Sequence, residues 1–128
     1  MKLKITAAMG YTLVTSGMPA RLVDPVSRRL GMTKGDLANF MGLDRSTASR
    51  LSAADKPLPL HSTDSVLRLI ELQELAEEVF GDQEAAKTWL HKPHPLFGEM
   101  QPVEIAKSSY GAQRVKQVLV AIKYGGVV

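Results

Sequence analysis

Apolar residues recur three and four positions apart along nearly the whole chain, and strand-like alternation is absent beyond a short Leu3-Lys4-Ile5. Leu22, Val26 and Leu30 predict a first short helix that stops at Gly31. Thr33, with Asp36 three residues on, is placed to cap a second helix running to Met41 before Gly42. Asp44 is placed to cap a third, from Arg45 to Ala53. Pro57 and Pro59 then break the pattern, because proline lacks the amide hydrogen a helix interior needs.

Val66, Leu69, Ile70, Leu75, Ala76, Val79 and Phe80 predict a long helix from Thr63 to Phe80, closed by Gly81. Asp82 can cap a short helix through Trp89 and Leu90, followed by a proline-rich loop from His91. Pro102 suits the first turn of another short helix. The last helix, Ala112 to Lys123, carries Val115, Val118, Leu119 and Ile122 on one face, which is expected to pack within its own domain. Gly125 stands where a left-handed, helix-ending residue belongs. The fold class is all-α, with domains expected at residues 1–60 and 61–128.

Composition narrows this picture. The 128 residues contain no cysteine, which excludes disulfides and thiolate metal sites and fits a cytoplasmic protein. No apolar run approaches the ~20 residues of a membrane span. The first twenty residues faintly resemble a signal sequence, but Gly10, Thr12, Thr15 and Ser16 interrupt the apolar stretch. A short strand or arm feeding the first helix is expected there.

Charge is unevenly divided. Residues 1–60 hold nine Lys/Arg against four Asp, and residues 61–128 hold seven Lys/Arg against nine Asp/Glu. The basic front half points to a polyanion. Its most specific stretch is Thr33–Ser52, in which Leu37 and Met41 face a core and Ala38 is small where a second helix must cross. Gly42 forms the turn, Leu43 plugs it, and Ala48 and Leu51 face inward from the next helix. That order is the helix-turn-helix pattern. Its outward face offers Arg45, Ser46, Ser49 and Arg50 to a major groove, with Lys34 and Thr47 at flanks where phosphates pass. Arg28 and Arg29 add charge from the preceding helix.

Other constellations carry less chemistry. His91 and His94 flank Pro93 with His61 remote, so no metal set assembles. Glu77 and Glu78 diverge as helix neighbours, and neither a phosphate loop nor a Ser-His-Asp arrangement is present. Trp89 and Phe80 read as core. No enzyme, cofactor or small-molecule substrate is expected.

The back half resembles the C-terminal domain of Xre/MbcA/ParS-type antitoxins. The resemblance rests on Ala76, Phe80-Gly81-Asp82, Ala85 and Ala86, Trp89-Leu90, Pro93, Gly98, Pro102, Gly111, Val115, Leu119, Ile122 and Gly125. In that family an Xre-like helix-turn-helix precedes this domain, as Thr33–Arg50 does here. Lys34 departs from a common glutamine, Ala48 from a branched residue, and Ser65 from an arginine.

The resemblance implies the antitoxin of a type II toxin–antitoxin pair. Its partner would be a RES-domain toxin that consumes NAD, blocked when the antitoxin's C-terminal segment occludes the active site. It also implies autoregulation through operator DNA, often as a homodimer. Lys123, Tyr124, Gly125, Gly126, Val127 and Val128 are the expected toxin-binding residues. The glycines free the backbone, and the apolar side chains gain burial in a partner's cleft. The alternative is a stand-alone helix-turn-helix transcriptional regulator whose C-terminal domain only dimerises.

Overall fold

The computed structural model describes residues 7–125. Its helices are α1 (Ala7–Ser16), α2 (Val23–Arg29), α3 (Lys34–Phe40), α4 (Arg45–Ala53), α5 (Leu60–Phe80), α6 (Gln83–Leu90), α7 (Pro102–Ile105) and α8 (Ser109–Lys123). Short 3-10 turns stand at Ala20–Leu22 and Pro95–Phe97. The described residues contain no strand, and the fold is all-α as expected. None of their helices is long and apolar enough to cross a membrane. The chain divides after Leu67 into two compact units.

The first unit begins with α1, where an arm or strand was expected. Ala7 and Ala8 start it with the strongest helix formers, which outweighs one glycine and the β-branched residues that follow. The possible Leu3–Ile5 strand lies outside the described residues. Gly17 ends α1 at φ +85°, and a Cβ there would stand 2.6 Å from the Leu58 carbonyl oxygen. Only glycine meets both demands. Around it, Leu58 N–H donates to Met18 O at 2.8 Å and Ala20 N–H to Lys56 O at 3.2 Å, stitching the proline-rich segment to residues 18–20.

The buried hydroxyls of Ser62 and Thr63 in this unit find partners, as burial without one costs about 1–3 kcal/mol each. Thr63 Oγ1 accepts from the Met18 amide at 3.0 Å and donates to Pro59 O at 3.1 Å. Ser62 donates to Met41 O at 2.9 Å. The core assembles from Met18, Val26, Leu30, Leu37, Met41 and Leu58. Helix α5 starts at Leu60, three residues before the expected Thr63. The Pro59 carbonyl accepts the Thr63 amide, so proline sits just outside the helix, where it is tolerated.

The second unit is built from the remainder of α5 with α6, α7 and α8. Leu69, Ile70, Ala76, Leu90, Val103, Val115 and Leu119 are buried. Asp82 caps α6 by accepting from the Ala85 amide, and Ser108 caps α8 by accepting from Gly111 at 2.9 Å. That cap explains why α8 begins at Ser109 and not at Ala112. Gln73 is fully buried; its amide donates to Glu77 Oε2 at 3.0 Å and to Gln83 O at 3.4 Å. Trp89 is half-buried, with ring centroids 5.8 Å from Phe80, 5.9 Å from His94 and 6.3 Å from Phe97.

Candidate nucleic-acid and partner interfaces

The α3–α4 corner forms as its residues dictate. Thr33 Oγ1 accepts the Asp36 amide at 3.0 Å, and Asp44 Oδ1 accepts the Thr47 amide at 2.7 Å. Gly42 turns the chain at φ +76°, and Leu43 N–H donates back to Ala38 O at 2.9 Å. The Thr47 amide, followed by the Ser46 hydroxyl, holds the Asp44 carboxyl below the usual aspartate range.

Lys34, Arg45, Ser46, Ser49 and Arg50 are exposed, and Thr47 is half-buried. Lys34, Arg45, Ser49 and the backbone at Gly35 line one groove of about 460 Å³ beside α4. Arg50 does not line it. Ser46 donates its proton to Asp44 at 2.9 Å, so its hydroxyl reaches a phosphate only by leaving that bond. Lys34, Arg45 and Arg50 make no ion pair among the described residues, which leaves three cations for an anionic partner.

One expectation changes and another is met in part. Arg29 is buried, because α2 places it on the same face as Val26 and Leu30, so it offers no charge at the surface; Arg28 is exposed and pairs with Asp24 at 2.9 Å. Ala48 and Leu51 face inward from α4 as expected, but they are only half-buried, and no residue of α4 is fully buried. The groove walls are Ala20, Ala38, Ala48 and Ala53, too small to close against one another. Arg21 was missed: it lines the same groove and forks onto Asp55 at 3.3 and 3.2 Å. Thirty-four residues separate that pair, so no local pattern announces it.

In the second unit, α8 buries Val115, Val118 and Leu119, with Ile122 half-buried, so the face expected to pack at home does so. Lys123 Nζ lies 3.5 Å from Glu78 Oε1 and 5.6 Å from the Tyr124 ring centroid. Tyr124 is 76% exposed, and Gly125 adopts φ +76° in open space. Gly126, Val127 and Val128 lie outside the described residues. His94 caps the 3-10 turn by accepting the Leu96 amide at Nδ1, 3.1 Å away. No group of three metal-ligating side chains occurs among the described residues.

Residues 9–71 match the model of the antitoxin Xre-like helix-turn-helix domain, and residues 75–125 match that of the antitoxin Xre/MbcA/ParS C-terminal toxin-binding domain. The chain belongs to the Xre/MbcA/ParS antitoxin family. It is also similar to Antitoxin Xre of Pseudomonas putida (strain KT2440), at 29% identity over 115 residues, 90% of this chain and 71% of that relative. In this antitoxin the exposed cations of α3 and α4 fall within the first match. Tyr124 and Gly125 close the second.

Proposed function

We propose that this antitoxin neutralises a RES-domain, NAD-consuming toxin by occluding its active site, and binds operator DNA to repress its own transcription as a homodimer. The observation that carries the reading is the pairing of two modules in one chain. One exposes Lys34, Arg45 and Arg50, free of ion pairs, around a helix-turn-helix corner. The other anchors α8 through Val115, Val118 and Leu119 and ends it at an exposed Tyr124. A helix fixed on one side, with a glycine joint beyond, can deliver an apolar segment into a cleft without unfolding its base.

Arginine matches guanine in the major groove through two hydrogen bonds, and lysine neutralises backbone phosphate. Toxin inhibition in this reading is steric: Lys123, Tyr124 and Gly125–Val128 fill the NAD pocket and no chemistry is required of the antitoxin. The test is co-expression with the product of the adjacent reading frame, following growth and cellular NAD. The full chain is expected to restore both, and deletion of Gly125–Val128 to abolish protection while leaving DNA retention intact. Full protection by the truncated chain overturns the tail's role. An adjacent protein that neither binds nor harms the cell overturns the antitoxin reading in favour of a stand-alone regulator.

A further inference from the structure

One face of α8 is left without a partner. Its buried residues Val115, Val118 and Leu119 occupy one side. At 100° per residue, Tyr110, Arg114, Gln117, Val120 and Tyr124 share the opposite side. All five are exposed, Tyr110 at 87% and Tyr124 at 76%. Tyr110, Val120 and Tyr124 make up half of the six large apolar side chains exposed among the described residues. From Tyr110 to Tyr124 the stripe runs about 21 Å at the helical rise per residue.

Charge on this unit is segregated in the same way. Residues 107–124 carry Lys107, Arg114, Lys116 and Lys123 and no Asp or Glu, whereas residues 68–106 carry three Lys/Arg against eight Asp/Glu. Lys123 is engaged by Glu78, but Lys107, Arg114 and Lys116 make no ion pair among the described residues. Tyrosine and arginine are the residue types that anchor protein interfaces, and matched charge mainly speeds encounter.

We infer that the Tyr110–Arg114–Gln117–Val120–Tyr124 face of α8 docks on an acidic surface of the toxin. Tyr110 anchors the end of the helix farthest from the tail. The inference rests on the toxin-binding reading above and extends its contact from Tyr124, which that reading places in the pocket, along α8 to Tyr110. Nucleic acid fits this face less well, because the remainder of the unit is acidic and the stripe is capped by tyrosines at both ends.

The test measures binding of the full-length chain to the purified product of the adjacent reading frame by surface plasmon resonance at low and moderate salt. Tyr110→Ala is expected to weaken binding at least tenfold. Arg114→Glu is expected to slow association and flatten its salt dependence, with Arg114→Lys largely restoring both. These side chains point into solvent, and unchanged thermal melts confirm the variants fold; Gln117→Glu, also exposed, repeats the charge test. Wild-type affinity in Tyr110→Ala and Arg114→Glu, alongside abolished binding in the Gly125–Val128 deletion, overturns the docking face and leaves the tail reading standing. No binding by the unaltered chain overturns both. Loss of operator retention with unchanged toxin affinity assigns the face to DNA and overturns the inference.

Discussion

Gly111 lies directly beneath the carbonyl of Ile105, so that a Cβ on Gly111 would overlap the Ile105 oxygen. The Ile105 carbonyl belongs to the end of α7 and Gly111 to the first turn of α8, so the missing side chain is what lets these two short-linked helices close. Gly111→Ala is expected to destabilise the second unit by about 1–3 kcal/mol, the usual cost of overpacking without room to relax. Urea unfolding followed by circular dichroism checks this. Gly81→Ala is the contrast, because a Cβ at Gly81 meets nothing within 4 Å and its cost arises from positive φ alone.

Acid should loosen the start of α4. The Asp44 carboxyl is held below its ordinary value of 3.8, first by the Thr47 amide and then by the Ser46 hydroxyl. A depressed folded-state pKa contributes stability above the unfolded value, and that contribution is lost as pH falls through the folded one. The effect therefore appears below about pH 4. Asp44→Asn keeps the cap acceptor and is expected to remove this share of the pH dependence, read from Ala48–Arg50 amide signals by NMR.

The groove beside α4 is expected to accept a larger side chain. Ala48→Val adds two carbons facing Ala38 and Ala20, and should stabilise the first unit by about 0.5–1.5 kcal/mol. A fall in the urea midpoint would show instead that the groove walls cannot separate.

Arg45→Ala and Arg50→Ala are each expected to weaken operator binding by about 1–3 kcal/mol, the worth of one bidentate arginine–guanine pair. Because both arginines are exposed, the melting temperature should barely move. Arg29→Ala should do the reverse, since Arg29 is buried: stability falls and any change in gel shift follows from unfolding. Equal gel shifts for Arg45→Ala, Arg50→Ala and the unaltered chain at moderate salt would remove α4 as the reading helix.

Features set by neighbouring residues were legible in the chain. Thr33, Asp44 and Asp82 each cap the helix that follows because a cap is a relation spanning three residues. Gly42, Gly81 and Gly125 all take positive φ at predicted helix ends. Helix α1 was not legible, because its alanines sit beside threonines that read equally well as strand. The Arg21–Asp55 pair and the alanine-lined groove depend on how distant segments meet, and no spacing encodes them. Burial of Arg29 was open to the same periodicity that placed Leu30, but its charge argued for the surface.

Trp89 is the chain's single tryptophan, and its indole sits among Phe80, Phe97 and the imidazole of His94. The second unit thus contains an intrinsic fluorophore beside a potential quencher. Capture of a partner by this unit can be followed in the unmodified protein, by the colour and lifetime of one residue's emission.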